Sequence, residues 1–425
     1  MIVRNAQIIA TTADVFIQDG RFADTGSGEE IDASGLTMLP GLVDVHVHFN
    51  EPGRTEWEGA ATGSRALAAG GGTMFVDMPL NSSPCTVDAR AFQEKRAALE
   101  RTSVTDFALW GGIVPGNRSG MAELATCGVV GFKAFMADSG LPEFARSDDL
   151  TLLRGMEEAA KLGLPVAVHA ETQELIDPRG SSVRDYLNSR PVLAEVTAIR
   201  RACELAEETG ARLHIVHVSS GRGVMTALEA RRRGVDVSIE TCPHYLYFGE
   251  DDMERLGAVL KCAPPLRAAE ERKSLWRALM RGDIDIVGSD HSPAPPAMKE
   301  DADFFRIWGG VAGVQSTLGV LLDMVPVERA AALTASNPAA RFGITGKGRI
   351  EPGYDADFVL VDLNAEYTVT RESLFQRHGF SPYLGATFRG VVRRTVVRGR
   401  TIFQNGHITA EGGGKFVHAE PRVHA

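Results

Sequence analysis

The stretch Gly41-Leu42-Val43-Asp44-Val45-His46-Val47-His48 decides how this chain is read. Its apolar, β-branched residues mark a buried strand. Side chains on a strand alternate between faces, so residues two apart point the same way. His46 and His48 therefore converge on one spot, at a spacing suited to sharing a metal ion. Polar rings in a buried strand need a partner. That partner is either a metal, for which histidine is the commonest ligand at neutral pH, or a set of hydrogen bonds within the core.

Outward from this strand the pattern repeats. Apolar strand candidates lie at 42–48, 72–78, 106–112, 131–135, 165–170, 212–218, 236–240 and 285–289. Amphipathic helical patterns lie between most of them, at 87–101, 150–162, 193–209 and 223–233. Eight strands with helical crossovers predict an α/β fold, a parallel (β/α)8 TIM barrel. An open doubly wound sheet is the alternative, but no glycine-rich dinucleotide fingerprint follows any strand. Gly70-Gly71-Gly72 precedes a strand and reads as a turn. Residues 1–39 and the chain after about 345 share a different character, short strands joined by Gly and Asp turns. They predict a small composite β-sandwich domain built from 1–39 plus 346–425, flanking a barrel at 40–345.

The chain has 425 residues, room for one large domain and a smaller one, or for two to three average ones. Its 44% hydrophobic and 24% charged residues are ordinary for a globular protein. A net charge of −10 argues against nucleic acid and anionic membrane as partners. The run Arg231-Arg232-Arg233 reads as a solvated helix end. No apolar stretch approaches the roughly 20 residues of a membrane-spanning helix. The N-terminus opens in a strand-like pattern without a signal-peptide layout. Five cysteines, an odd number without a CxxC pair, indicate neither a disulfide framework nor a thiolate zinc site. A reducing, cytoplasmic setting is expected.

Barrel enzymes carry their chemistry at the C-terminal ends of the strands. Those ends hold His46 and His48, Lys133, His169, His217, and Asp290 in Gly288-Ser289-Asp290-His291-Ser292. Each alone is weak evidence, a satisfied histidine or a helix-capping aspartate. Their joint occurrence at one rim points to a metal-dependent site. His214 and His217 are three apart and face opposite sides of a regular strand. His217, nearer the strand's end, is the expected site residue and His214 a structural one. A lysine buried among cations is repelled and its pKa depressed. A neutral amine there can take up carbon dioxide as a carbamate that bridges two metals. The other readings of Lys133 are a snorkelling side chain and a substrate-binding cation.

Together, His46-Val47-His48, Lys133, His169, His217 and Ser289-Asp290-His291-Ser292-Pro293 resemble the cyclic amidohydrolase group of the amidohydrolase superfamily: dihydroorotases, hydantoinases and allantoinases. The resemblance runs over essentially the whole chain. It implies that His46, His48 and Asp290 bind one divalent metal and that His169 and His217 bind another. Zinc is the expected metal, with N6-carboxylated Lys133 bridging the pair and Asp290 as the catalytic base. Within the group the chain most resembles the allantoinases, through segments 50–59, 78–82, Lys261-Cys262-Ala263-Pro264-Pro265-Leu266-Arg267, 308–315 and Ser381-Pro382-Tyr383. Dihydroorotases carry arginine two residues after the second histidine, where it meets a substrate carboxylate; here stands Asn50, which suits a neutral cyclic ureide. Arg54, close by in sequence, weighs against that argument. Ala263 departs from the serine of many allantoinases.

The resemblance implies ring opening of allantoin to allantoate. Dihydroorotase and hydantoinase or dihydropyrimidinase activity are the alternatives, and a non-catalytic scaffold relative is the remote one. Asn50, Cys262, Ala263 and Ser292 are the expected substrate contacts. His244 and His291 are expected behind the metal ligands, and a homotetramer or other homo-oligomer is the expected assembly.

Overall fold

A computed structural model describes residues 1–9 and 11–421. Ala10 and residues 422–425, all within the expected composite β domain, lie outside the described residues. Eight parallel strands form the barrel: β1 Leu42–Val47, β2 Gly72–Asp77, β3 Asp106–Leu109, β4 Phe132–Phe135, β5 Val166–His169, β6 Leu213–Ile215, β7 Val237–Thr241 and β8 Ile286–Val287. β1, β2 and β3 pair in parallel, the β1–β2 ladder shifting register after Leu42 and again between Asp44 and Val47. Gly111–Gly112 continues β3 past Trp110 and pairs with β4. The ladder then runs unbroken from β4 to β8. A parallel bridge between Val47 and His291 closes the circle, with His48 N–H donating to His291 C=O at 2.8 Å.

The helices form where the apolar period changes from 2 to 3.6. Helix Val192–Thr209 buries Ala194, Ala198, Ile199, Ala202, Cys203 and Ala206, one stripe facing the barrel. It stops at Gly210, whose left-handed backbone (φ 68°) suits a residue without a Cβ. Asp88, Asp148 and Ser220 cap other crossover helices by accepting a backbone N–H three residues on. Beneath the strands, Phe75, Phe107, Leu109, Phe132, Val166 and Val168 are buried in one continuous core.

Strands from both ends of the chain form one nine-stranded sheet. Strand Thr37–Pro40 pairs with Phe358–Thr368 and leads through Gly41 straight into β1. Val3, Ala6, Ile17, Phe22, Ile31, Phe358 and Val396 pack together, so the sheet encloses an apolar core of its own, as a sandwich does. An ion cluster ties it to the barrel floor. Lys347 Nζ donates to Asp106 and Asp357 at 2.6 Å each and lies 2.9 Å from Asp355. Past the sheet the chain returns to the barrel, Val417 N–H donating to Phe107 C=O at 2.8 Å. Among the described residues no helix is long and apolar enough to cross a membrane. All five cysteines are free thiols.

Two expectations about the strands change. The strands are shorter than the apolar runs: β6 stops at Ile215 within the run 212–218, and β8 covers only Ile286–Val287 of 285–289. The parity argument for the sixth strand also fails. β6 ends at Ile215, and His217 has a left-handed backbone (φ 41°) that breaks the alternation. His214 and His217 therefore both face the barrel interior, at different depths.

Candidate active site

At the C-terminal rim the backbone is shaped to crowd polar side chains together. Asn50, Asn81, His217 and Asp290 all have positive φ, between 41° and 70°, values that cost energy for residues with a side chain and cluster at functional sites. Gly288 makes room between walls. A Cβ there would sit 3.0 Å from His46 Cβ and 3.1 Å from Glu240 Cδ.

Two groups of donors result. His46 Nε2 and His48 Nε2 lie 3.2 and 3.3 Å from the same Asp290 oxygen. These three residues offer ligand atoms within 4.8 Å of one another. His169 Nδ1 lies 3.0 Å from His217 Nε2. The groups adjoin, His46 and His217 having ring centroids 5.4 Å apart. Lys133 is buried beside them and feels the charges of Asp290 and Glu240.

The far nitrogens settle which atoms point inward. His46 Nδ1 is held by Glu240 at 2.7 Å, leaving Nε2 for the site. His169 Nε2 is held by Glu171 at 2.9 Å, leaving Nδ1. A carboxylate behind each imidazole is the arrangement that orients metal-ligating histidines. Phe135 stacks flat on His169, with centroids 4.5 Å apart and planes 8° off parallel.

Electrostatics favours the same use. Burial pushes His48, His169 and His217 below the ordinary histidine pKa, so their lone pairs are available at neutral pH. Burial raises the Asp290 carboxyl, but adjacent His46, His48 and His217 overcome it and leave the group ionised. Burial likewise opposes ionisation of Glu171, yet Arg190 and His169 carry it down to about 2. Lys133 falls to about 8 through burial, and among the described residues its Nζ has no hydrogen-bond partner. A fully buried ammonium without an acceptor is costly, whereas a metal-bridging group at that position is not. Imidazole and carboxylate donors of this kind fit divalent first-row metals.

The cluster opens on a cavity of about 480 Å3. Of the expected substrate contacts, Cys262, Ala263 and Ser292 line it. Asn50 does not. It is buried, with Nδ2 3.5 Å from Pro293 C=O, and its left-handed backbone (φ 51°) takes it out of the strand alternation. Asn81 lines the cavity instead and donates to Ser292 Oγ at 3.3 Å. His244 is buried beside Asp290 and Cys242, and burial lowers its pKa to about 4. His291 turns away. Its Nδ1 accepts the N–H groups of Gly313 at 3.1 Å and Val314 at 3.3 Å, and its Nε2 faces Glu58 at 3.5 Å. The positive φ of Asp290, beyond the end of β8, turns the chain so that Asp290 faces the cavity and His291 clamps a loop outside it.

Sequence reading missed the carboxylates behind the histidines. Glu240 joins His46 to His214, whose Nε2 lies 3.1 Å away. Glu171 pairs with Arg190, which also lines the cavity. A signal existed. Both are charged residues at the ends of apolar strands, where an unpaired charge is disfavoured.

The chain resembles known proteins over its whole length. The amidohydrolase family model matches residues 37–402. The chain is 58% identical to an allantoinase of Solibacter usitatus (strain Ellin6076), covering 100% of this chain and 98% of that one. It is 52% identical to an allantoinase of Rubrobacter xylanophilus (strain DSM 9941), covering 98% and 97%. Among solved structures, the L-hydantoinase (dihydropyrimidinase) of Arthrobacter aurescens superposes with a TM-score of 0.95 at 34% identity, covering 98% of this chain and 99% of that one. A closed parallel barrel, a rim of imidazoles and carboxylates, and these full-length matches lead to one conclusion: the chain belongs to the amidohydrolase family.

Proposed function

We propose that this protein hydrolyses a ring amide of allantoin to give allantoate. The observation that carries the proposal is the cluster of His46, His48, His169, His217 and Asp290 lining the cavity, with Lys133 buried beside them, in a chain 58% identical to an allantoinase. His46 and His48 through Nε2, with Asp290, would hold one divalent cation. His169 through Nδ1 and His217 through Nε2 would hold a second. Zinc suits these donors. Two such cations supply water ionised at neutral pH and polarise a carbonyl oxygen. Lys133, part-neutral near pH 8, is set up to react with carbon dioxide; a carbamate would answer the missing partner of its Nζ.

The chain's own residues do the rest. Asp290, ionised and open to the cavity, takes a proton as water oxygen bonds to the ring carbonyl carbon. It returns that proton to the ring nitrogen as the C–N bond breaks, leaving a carboxylate and an opened ureide. Asn81 and Ser292 offer hydrogen bonds from the cavity wall, and Trp308 and Ile307 offer apolar contact. The five free thiols suit a reducing cytoplasm, and we expect a homo-oligomer.

The likeness to the hydantoinase fold supports a second reading, a hydantoinase or dihydropyrimidinase. Steady-state rates of the metal-loaded protein on allantoin, hydantoin, dihydrouracil and dihydroorotate separate the two. The proposal expects the highest kcat/KM on allantoin. A higher value on any of the other three overturns it.

A further inference from the structure

One wall of the cavity is a loop segment whose N–H groups are bonded piecemeal, Phe304 to Ser181 C=O at 2.8 Å, Trp308 to Met298 C=O at 2.9 Å and Gly310 to Lys261 C=O at 2.6 Å. Phe305, Arg306, Ile307, Trp308, Gly309 and Gly310 line the cavity in succession. Their backbone carbonyls converge on two lysines that the proposed chemistry does not use. Lys261 Nζ donates to Phe304 C=O at 2.7 Å, Phe305 C=O at 3.0 Å and Ile307 C=O. Lys299 Nζ donates to Trp308 C=O at 2.9 Å, Gly310 C=O at 2.8 Å and Ala258 C=O at 3.4 Å. Both residues are buried, 4% and 8% exposed. Each nitrogen thus has three acceptors around it, and an ammonium group has three donors to give.

We infer that Lys261 and Lys299 are positioning residues for substrate recognition: two buried ammonium groups that fix the 304–310 backbone as a wall of the cavity. The inference rests on the cavity being the substrate site. Neither lysine is paired with a carboxylate at ion-pair distance among the described residues. Their hold is on carbonyl dipoles, and on the Tyr186 and Phe304 rings 4.8 and 5.3 Å from Lys261 Nζ. A neutral amine has two N–H donors and a lone pair. Faced with three carbonyl oxygens, it turns one attraction into a repulsion. The hold on the wall's carbonyl groups therefore depends on the charge of both groups, while its N–H groups are held separately.

The charged groups around them make that dependence testable. Arg190 opposes and Asp303 favours the charge on Lys261. Lys261 opposes the charge on Lys299, while the Cys262 thiol, if ionised, favours it. Burial is the main influence on both, leaving Lys261 at about 8 and Lys299 at about 7. The hold of the wall should slacken as pH rises through that window.

Lys261→Met and Lys299→Met keep the length of the side chain and remove the donors. In the metal-loaded full chain each should raise KM for allantoin about tenfold, the size of one lost hydrogen bond to a charged group. Bound metal should stay at the wild-type level and kcat should change much less than KM. Wild-type KM should climb with pH from neutrality upward, and in Lys299→Met it should start high and climb less. Hydrogen exchange in residues 304–310, corrected for intrinsic rate, should speed up in both variants while the barrel strands stay protected. That readout needs no turnover, so it holds whether or not allantoin is the substrate. A pH-independent wild-type KM, or unchanged exchange in 304–310, overturns the inference. If the variants do not fold, wild-type KM and exchange across the same pH range decide it alone.

Discussion

Replacing Glu240 with glutamine tests how the site is held together. Its carboxylate accepts from His46 Nδ1 at 2.7 Å, from His214 Nε2 at 3.1 Å and from the His217 backbone N–H at 3.3 Å. Burial opposes its charge, but His46 and His214 carry the carboxyl down to about 2, so all three bonds go to an anion. Glutamine keeps the shape and one oxygen, and puts an NH2 where the other oxygen stood. His214 can adapt by moving its proton to Nδ1, which faces Ser238 Oγ at 2.8 Å. His46 cannot adapt without losing the tautomer that leaves Nε2 for the site. The variant should therefore fold and bind metal poorly. A hydrogen bond to a charged group contributes about 1.5–3 kcal/mol. Loss of such a partner behind a ligating histidine typically weakens metal binding about 10- to 100-fold, which corresponds to about 1.4–2.7 kcal/mol. The assay is competition with a coloured chelator for the bound metal, alongside the urea midpoint of metal-free protein. Glu240→Ala should do worse in both, because it leaves the three N–H groups of His46, His214 and His217 without their acceptor. Wild-type metal affinity in Glu240→Gln, with wild-type turnover, would refute the reasoning.

Three further outcomes are expected. Asp290→Asn should keep the fold and much of the metal, and lose about 10^2- to 10^4-fold in kcat as a general base is removed; near-normal turnover would remove the proton-transfer role. Lys133→Ala should lose metal, counted per chain after dialysis, and short carboxylic acids such as propionate should partly restore activity; full metal content would count against a bridging group there. Stability should fall as pH drops below about 6.5, the titration point of an unfolded histidine. Burial leaves His169, His214 and His217 with lowered pKa values, so below that pH the unfolded chain binds more protons than the native one. A urea midpoint for metal-free protein that stays level or rises on acidification contradicts this.

The sequence made the donor set legible because those residues obey a local rule. His46 and His48 are two apart on an apolar strand, and Lys133, His169 and Asp290 sit at strand ends where a parallel barrel places its chemistry. The same rule misled at His214, because a positive φ at His217 breaks the alternation on which the face assignment rests. Asn50 came from the family resemblance rather than from alternation, and its own positive φ accompanies a side chain bonded to Pro293 instead of one lining the cavity. His291 illustrates the opposite failure. Its neighbours in the motif made it look like part of the metal surroundings, but the turn of the chain past β8 puts it outside, against Gly313, Val314 and Glu58.

By itself the sequence determined the barrel, the sheet of terminal strands and which side chains gather as candidate metal donors. Each of these follows from periodicity and from residue chemistry, properties carried over a few neighbouring positions. Only the tertiary structure decided which carboxylate stands behind which imidazole and which nitrogen of each ring faces the cavity. It alone decided that Asn81 rather than Asn50 lines the cavity, and that Lys261 and Lys299 bind the 304–310 carbonyls. These are contacts between residues as far apart as His46 and Glu240, separated by 194 positions. No local pattern encodes such a distance; it is fixed when eight strands close into a ring and bring their ends within a hydrogen bond of one another.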